Sequence, residues 1–357
     1  MNIKLLNRFV KMGERLVIRS PTLPNLGHLL IENGVMKVTD LENSLLMPVD
    51  DKRSYTIPFN TLKTVMKQKP EDLKIELGKD HKVTLRYGNN SLTVQGLDPA
   101  DYPLLPEGKF KKIDEWDPGR ITKLLSHLPF ISKEELRPAL TGIYLEYDDE
   151  IKSVSTDGHL MRVISYGKGN GVKEKRILPN KSLRILSTPP LKPVIVFSSE
   201  THARFEYQDG ITLYSRWIDE KYPDHRPFVA DWKLKGRAIF DVLELLTAIS
   251  DSKPFVNPTT KGIRLKLSKD QLELISEDPD SQSTFTASVP TSTSLNGQIY
   301  AAGFNALFLE TILKTITTDK VVWRFSEPNE KTYWLDDVEE PDVVNLLMPI
   351  RLEDKDE

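Results

Sequence analysis

The chain has 357 residues and no cysteine, and its 49 Lys and Arg against 52 Asp and Glu give a formal net charge of −3. This length corresponds to two or three domains, while the lack of cysteine excludes a disulfide framework, a thiolate zinc site and a cysteine nucleophile. The 39% of hydrophobic residues excludes an intrinsically disordered chain. No apolar run reaches the ~18 residues that a membrane span needs, so we expect a cytoplasmic protein without a membrane partner.

A recurrence of domain length runs through the chain. Three stretches, at residues 24–31, 138–145 and 258–265, consist of a proline followed by an alternating strand pattern. Each leads to a second strand pattern that ends in a hydroxyl residue and an acid: Thr39-Asp40, Thr156-Asp157 and Ser276-Glu277. The chain therefore predicts three similar parts rather than unrelated domains.

In chain order, each third predicts a helix, strands, a second helix and further strands. Apolar residues at helical spacing mark the helices, and alternating segments with short polar turns mark antiparallel strands. The predicted helices cover residues 3–18, 59–68, 119–131, 180–187, 236–250 and 304–315. Segments 107–117 and 230–235 predict linkers. The pattern is typical of an α+β fold with helices on antiparallel sheets, in three similar domains that span residues 1–113, 114–232 and 233–357.

Basic residues concentrate on the predicted helices. The first helix carries them at spacings of three and four, which places them on one helical face: Lys4, Arg8, Lys11 and Arg15. For any one helix, a row of basic residues that merely faces solvent is the simpler explanation. Several such rows on the predicted helices favour a surface that binds a polyanion. No aromatic residue is interleaved with these rows, so they favour duplex phosphates over single-stranded bases. The last third departs, because Asp241 and Glu244 offset Arg237.

Several motifs resemble those of one known family. Residues 155–161 are Ser-Thr-Asp-Gly-His-Leu-Met, residues 346–352 are Leu-Leu-Met-Pro-Ile-Arg-Leu, and residues 21–27 are Pro-Thr-Leu-Pro-Asn-Leu-Gly. Turns at Asp101-Tyr102-Pro103 and Tyr222-Pro223-Asp224 close the first two thirds. Together, and in this order along essentially the whole chain, these motifs resemble bacterial DNA polymerase III beta subunits, the replicative sliding clamps.

The resemblance implies a processivity factor rather than an enzyme, with no cofactor. Two protomers of three clamp domains would form a head-to-tail homodimer, a closed ring that surrounds double-stranded DNA without sequence preference and tethers the replicative polymerase. The dimer is expected to join Tyr102, Leu104 and Leu105 of one protomer to Ile249 of the other. The basic pattern and the resemblance together give the DNA-facing residues: Lys4, Arg8, Lys11, Arg15, Arg19, Lys63, Lys67, Arg120, Lys123, Lys133, Arg137, Lys181 and Arg184.

The resemblance also implies a pocket that receives short apolar peptides from the polymerase, the clamp loader and repair proteins. Its expected residues are Thr156, Gly158, His159, Met161, Pro223, Phe228, Leu346, Leu347, Met348, Pro349, Ile350 and Leu352. A buried last strand at residues 346–352 is the plain alternative. Leu160 and Pro227 stand where the family often has Arg, which predicts a more apolar pocket, and the acidic tail at residues 353–357 is expected beside it.

Two other functions stay open. A hydrolase could use Asp157 and His159 in acid–base chemistry, although a tight Asp-Gly turn explains this pair more simply. A paralogous or mobile-element clamp that serves another polymerase or a repair protein is the closer alternative. The six His residues show no ligand spacing, so we expect no metal site. The absence of a phosphate-binding Gly-x4-Gly-Lys-Ser/Thr motif argues against the ATP-driven clamp loader itself.

Overall fold

The computed structural model describes residues 2–17, 21–229, 236–278, 280–294, 300–325, 333–337 and 340–351. Within these residues the strands form antiparallel sheets with α-helices packed on them, which confirms the predicted α+β class. None of the described helices combines the length and the hydropathy that a transmembrane span requires.

The first repeat comprises two helices and seven strands. Its elements are α1 (Ile3–Gly13), β1 (His28–Glu32), β2 (Val35–Thr39), β3 (Asn43–Pro48), β4 (Tyr55–Pro58), α2 (Phe59–Lys67), β5 (Lys74–Leu77), β6 (Lys82–Tyr87) and β7 (Asn90–Gln95).

The second repeat begins with a strand and ends before a short helix. Its elements are β8 (Lys111–Trp116), α3 (Pro118–Leu125), β9 (Gly142–Tyr147), β10 (Glu150–Thr156), β11 (Leu160–Lys168), β12 (Glu174–Pro179), α4 (Asn180–Leu186), β13 (Val194–Ser198), β14 (His202–Tyr207) and β15 (Thr212–Arg216). The short helix that follows is α5 (Arg226–Val229).

The third repeat has the same plan as the second. Its elements are β16 (Gly236–Asp241), α6 (Val242–Ser252), β17 (Gly262–Leu267), β18 (Gln271–Asp278), β19 (Ser283–Thr293), β20 (Tyr300–Asn305), α7 (Ala306–Leu313), β21 (Lys320–Phe325), β22 (Tyr333–Asp337) and β23 (Val343–Leu347). Each repeat thus runs helix, four strands, helix, three strands, which confirms the predicted order of elements.

Several predicted boundaries are wrong, and one of them is the end of the helix predicted at residues 119–131, which the structure places at Leu125. The predicted linker at residues 107–117 contains β8, which pairs with β13. The predicted helix at residues 236–250 begins as β16, where Ala238 and Phe240 are buried at the two-residue period of a strand. Asp241 then caps α6 by accepting hydrogen bonds from the next turn's backbone amides. Helix α1 ends at Gly13, five residues before its predicted end at residue 18.

The chain groups into two compact units, one of residues 1–125 and 176–220, the other of residues 126–175 and 221–357. These limits differ from the predicted divisions after residues 113 and 232, because the second repeat contributes to both units. The three-domain division therefore stays a prediction about how the chain evolved and is organised.

The first unit contains an eight-stranded sheet of order β4-β1-β2-β3-β15-β14-β13-β8 and a separate sheet of order β5-β6-β7. The pair β3–β15 joins the first two repeats, with Asn43 opposite Ser215 and Leu46 opposite Thr212. Helix α1 packs against α2 and α4 and buries Phe9 completely. Strand pairing and helix packing therefore connect the two repeats within one core.

The second unit carries eleven consecutive strands of one sheet, in the order β9-β10-β11-β23-β22-β21-β16-β19-β18-β17-β20. The pair β11–β23 joins the second and third repeats, with Leu160 opposite Leu347. The core of this unit includes Trp323, whose ring centre lies 6.1 Å from that of Phe240 and 5.6 Å from that of Phe304. The two junctions between repeats are thus formed by strands at equivalent positions, β3 with β15 and β11 with β23.

Candidate DNA and peptide interfaces

The exposed face of α1 carries three of the four predicted cations. Lys4, Lys11 and Arg15 are exposed, and Arg15 lies just beyond the helix. The opposite face buries Leu6 and Phe9 against the sheet. Because the apolar face is fixed by packing, the three cations are held on the outer side of the helix.

Arg8 does not belong to this exposed face, so its predicted DNA-facing role is wrong. The residue is only 7% exposed, and its Nη1 lies 2.6 Å from Oδ2 of Asp209. The guanidinium carbon lies 4.2 Å from the centre of the Tyr207 ring. Lys192 Nζ reaches the same Asp209 oxygen at 2.8 Å. Arg8 therefore anchors α1 to the β14–β15 hairpin.

The other predicted cations divide by exposure. Lys67, Lys133 and Arg184 are exposed, as is Arg137, whereas Lys123 is half-buried. Arg19 lies outside the described residues. Three more are held close to carboxylates, and these pairs are Lys63 with Glu14 at 3.3 Å, Arg120 with Asp114 at 2.7 Å and Lys181 with Asp40 at 2.5 Å. An ion pair reduces the charge that such a residue can offer to phosphates.

The turn that follows β10 forms one wall of the candidate peptide site. The Thr156 hydroxyl donates to the Leu160 carbonyl at 2.5 Å and accepts from the Gly158 amide at 3.0 Å. Gly158 has φ +94°, a left-handed conformation that glycine adopts without strain. The His159 carbonyl accepts from the Met348 amide at 2.9 Å, so the chain beyond β23 lies directly against this turn.

An aromatic pair forms a second wall. The His159 and Phe308 rings are stacked, with centroids 5.1 Å apart and 19° between their planes. The Ile350 amide donates to the Gly303 carbonyl at 2.9 Å, which places residues 348–350 beside the start of α7. We call this arrangement of residues 156–160, 303–308 and 348–350 the peptide cleft. Met348 and Ile350 are half-buried within it.

Two residues of the peptide cleft were not assigned to it from the sequence. Phe308 lies on α7, far along the chain from the turn, and no local pattern distinguishes it from a core residue. Arg137 was predicted to face DNA, but its Nη1 lies 3.6 Å from the position that a Cβ on Gly158 would take. Arg137 therefore places a guanidinium at the turn, within reach of the cleft.

The other predicted pocket residues differ in how far their side chains are exposed. Leu346 and Leu347 are 2% and 0% exposed, so for these two the alternative of a buried last strand is correct. Leu160 is also buried, and it does not make the cleft more apolar. Thr156 is buried and shapes the turn. The remaining predicted pocket residues divide into Pro223 and Phe228, which are exposed, Met161 and Pro349, which are half-buried, and Leu352, which lies with the acidic tail outside the described residues.

The Asp157 and His159 pair is arranged as a turn rather than as a catalytic dyad. One Asp157 carboxylate oxygen accepts from the His159 and Leu160 amides, at 2.8 and 2.7 Å. A buried imidazole lies nearby, where His127 contacts the hydroxyls of Ser155 and Ser153 at 2.7 and 2.6 Å. Burial and the neighbouring Arg162 charge hold the pKa of His127 well below its usual value. It is inaccessible, so it serves as a neutral hydrogen-bonding group.

Comparison with known families decides between the alternatives. The model for the central domain of the DNA polymerase III beta subunit matches residues 120–224. The model for the C-terminal domain of the same subunit matches residues 233–351. The chain belongs to the DNA polymerase III beta subunit family. The clamp function expected from the sequence is thereby confirmed, and the hydrolase alternative is not favoured.

Similar proteins match most of the chain. A beta sliding clamp of Pseudomonas putida is 26% identical, over 94% of this chain and 95% of its own length. The solved beta subunit of Streptococcus pyogenes has a TM-score of 0.87 and 20% identity, and covers 99% of both chains. A Pseudomonas aeruginosa clamp solved with bound griselimycin has a TM-score of 0.86 and 24% identity, and covers 99% of this chain and 98% of its own.

The predicted dimer residues of this beta subunit fall into two groups. Tyr102 is buried and its hydroxyl donates to the His28 carbonyl at 3.0 Å, while Ile249 is completely buried in its own core. Neither offers a side chain to a second protomer, so both assignments are wrong. Leu104 is exposed and Leu105 is half-buried, and they stay candidates.

Metal chemistry finds no support in the described part of the chain. Within the described residues, no group of three or more His, Asp or Glu side chains is placed to hold an ion.

Proposed function

We propose that two copies of this beta subunit close into a ring that surrounds duplex DNA and tethers the replicative polymerase. The observation that carries the proposal is a pair of unused strand edges. At both repeat junctions, the third strand after the first helix pairs with the third strand after the next repeat's second helix, as β3–β15 and β11–β23.

Among the described residues, the same rule leaves one strand edge without a neighbour in the first repeat and one in the third. In the first repeat, β7 pairs with β6 and has no second neighbour among the described residues. In the third repeat, residues 283–290 of β19 pair with β18, while only residues 291–293 pair with β16. Pairing β7 of one protomer with β19 of the other would reproduce the internal junction. Because the contact is head-to-tail, two such pairings can close a ring.

A groove lies beside the free edge of β19. It has a volume of about 490 Å³ and is lined by apolar residues such as Leu243, Ala248 and Ala287 together with the carboxylates of Glu244 and Asp251. Leu243 is 73% exposed on α6 and contributes an apolar side chain to this groove. At the first internal junction the corresponding place is covered, since α1 packs against α4 of the next repeat. We assign the groove to α2 of the second protomer.

Replacing Leu243 with Glu is expected to dissociate the dimer. The charge would be buried against the apolar face of the partner, while the exposed residue should leave the fold of the protomer intact. Light scattering should give a mass of about twice 40.8 kDa for the unchanged chain and 40.8 kDa for the variant. The matched control is Leu23→Glu, another exposed leucine, which should stay dimeric. A dimeric Leu243→Glu protein would refute the β7–β19 interface.

The exposed cations of α1 and the neighbouring helices supply the attraction for DNA. Lys4, Lys11 and Arg15 make no hydrogen bond or ion pair within the described contacts that would neutralise them, and Lys67 and Arg184 extend the positive surface. Long-range attraction to phosphates needs no base contact, which suits a ring that must slide. Closure would provide the retention, so tight binding is unnecessary.

Reversing Lys4, Lys11 and Arg15 to Glu is expected to reduce polymerase stimulation at least tenfold. Each lost phosphate contact should reduce the slope of the logarithm of the DNA-binding constant against the logarithm of salt concentration by roughly one. Primer extension on a long single-primed template measures the effect. The control reverses Lys52, Lys109 and Lys111, which are equally exposed but lie outside the helices. Equal polymerase stimulation by the two variants would show that the cations of α1 do not face DNA.

The peptide cleft is the proposed docking site for the polymerase, the clamp loader and repair proteins. Flexible Met348 and the stacked His159–Phe308 pair offer an adaptable apolar surface, which suits several short peptides. We also assign griselimycin, the ligand of the related Pseudomonas aeruginosa clamp, to this cleft. The chain acts without catalysis, as a cytoplasmic processivity factor.

A further inference from the structure

The first repeat contains the same turn that forms the peptide cleft. The Thr39 hydroxyl donates to the Asn43 carbonyl at 2.8 Å and accepts from the Leu41 amide at 3.1 Å. Asp40 accepts from the Asn43 amide at 2.6 Å. These are the bonds that Thr156 and Asp157 make in the peptide cleft, position for position. The turn that forms one wall of the peptide cleft therefore has a second copy, with the same hydrogen bonds, in the first repeat.

The other walls are repeated as well. The Glu42 carbonyl accepts from the Arg216 amide at 2.8 Å, as the His159 carbonyl accepts from Met348. The Ile218 amide donates to the Ile177 carbonyl at 3.0 Å, which corresponds to the bond between Ile350 and Gly303. We call this second arrangement, of residues 39–43, 177–182 and 216–218, the sister cleft. It lies entirely within the first unit.

The side chains of the two clefts differ at four equivalent positions. Where the peptide cleft has Gly158, His159, Leu307 and Met348, the sister cleft has Leu41, Glu42, Lys181 and Arg216. Three apolar or aromatic groups are thus exchanged for charged ones. The fourth change puts a leucine at φ +78°, where a Cβ is strained, and leaves that leucine 53% exposed.

The charged side chains of the sister cleft are paired across it. Arg216 Nη1 lies 3.5 Å from Glu42 Oε1, which joins the strand end to the turn. Lys181 Nζ lies 2.5 Å from Asp40 Oδ2 and reaches the Leu16 carbonyl at 3.5 Å. The Arg216–Glu42 pair is exposed, so what opposes an apolar peptide is the cost of covering charged groups without replacing their contacts with water.

The floor of the sister cleft is polar too. The Ser182 hydroxyl donates to Asn43 Oδ1 at 2.9 Å and also contacts the Ser215 hydroxyl. The equivalent positions beside the peptide cleft are Phe308, Leu160 and Leu347, as the shared strand register shows. In the sister cleft Glu42 replaces His159, and Ser182 replaces Phe308, so the stacked aromatic pair of the peptide cleft has no counterpart there.

We infer that the sister cleft is a closed copy of the peptide cleft, and that Leu41, Glu42, Lys181 and Arg216 confine apolar ligands to one cleft in each chain. The inference rests on the proposed function of the peptide cleft. These four residues are then determinants of specificity, because they limit each protomer to one binding site for apolar peptides.

The test uses isothermal titration of the full-length protein with griselimycin. The opening variant carries Leu41→Gly, Glu42→His, Lys181→Leu and Arg216→Met, so that these four positions have the residues of the peptide cleft while the buried floor is left unchanged. We expect one ligand per chain for the unchanged protein and two for the opening variant. Lys109→Met, which removes an exposed charge elsewhere in the first unit, is the control and should keep one. Thermal unfolding checks that each variant is folded.

Addition of Met348→Ala separates this inference from the proposed function. In the unchanged background Met348→Ala should weaken the single site at least tenfold, and its failure to do so would count against the peptide cleft alone. In the opening variant one ligand should still bind after Met348→Ala. A folded opening variant that binds no additional ligand, or an unchanged chain that binds two, would overturn the closed copy.

Discussion

Replacing Arg8 with Glu is expected to lower the free energy of unfolding by about 3 kcal/mol or more, the typical cost of breaking a buried ion pair. Arg8 is buried and lies 2.6 Å from Asp209, so the substitution would bring two carboxylates together with little water. It would also remove the guanidinium from the Tyr207 ring. Urea denaturation followed by circular dichroism measures the change.

The matched control for this prediction is Lys11→Glu, on the same helix but exposed. Surface substitutions of this kind usually change stability by less than about 0.5 kcal/mol. Equal stability of the two variants would show that Arg8 is not an anchor. The comparison also separates the structural arginine of α1 from the cations assigned to DNA, since Lys11→Glu alone should impair DNA retention rather than folding.

The dependence of stability on pH provides a second test of the ion pair between Arg8 and Asp209. Burial raises the pKa of Asp209, but the hydrogen bond from Lys192 and the charge of Arg8 outweigh it, and the pKa lies below its usual 3.8. An acid whose pKa is lowered by folding adds stability above its unfolded pKa and loses it as the pH falls. The unchanged protein should therefore lose more stability than Arg8→Ala when the pH is lowered from 5 towards 3.

The second large effect is expected at the peptide cleft. Met348→Ala should weaken griselimycin binding at least tenfold, because the residue is half-buried and its backbone amide is bound to the His159 carbonyl at the cleft. Titration calorimetry measures the dissociation constant. Leu23→Ala, which removes a similar apolar volume from an exposed position, should bind as the unchanged chain does.

A neighbouring substitution distinguishes binding from folding. Leu347 is 0% exposed and belongs to the core of the second unit, so Leu347→Ala should cost about 2–5 kcal/mol of stability. A protein with Met348→Ala that is fully folded and binds griselimycin normally would exclude Met348 from the cleft. Loss of binding with Leu347→Ala alone would reflect unfolding and would not count as support.

The order of helices and strands could be predicted from the sequence because it depends on local periodicity. The apolar spacing in α1 and the alternation in β10 report which side of each element is buried. β8 was missed because its exposed charged residues, such as Lys112 and Glu115, resemble a linker. β16 was missed because Phe240 also fits the helical spacing of the apolar residues of α6. In both cases the pairing strand lies far along the chain.

The candidate interfaces could be predicted only in part for a similar reason. Spacing placed Arg8 on the same side of α1 as Lys4, but only the tertiary structure shows that Asp209 approaches that side. The turn at Gly158 carries its own sequence signal, whereas Phe308 joins it through packing. The sister cleft was recognisable only once the two junctions could be compared bond by bond.

The central claim is that the chain retains DNA by surrounding it, and one measurement tests this most directly. The protein is assembled on a nicked circular plasmid with its clamp loader and passed through a gel-filtration column at high salt, where electrostatic attraction is screened. We predict that it elutes with the circular plasmid and is released when the plasmid is cut once. Equal retention on circular and linear DNA, or none on the circle, would contradict the closed ring.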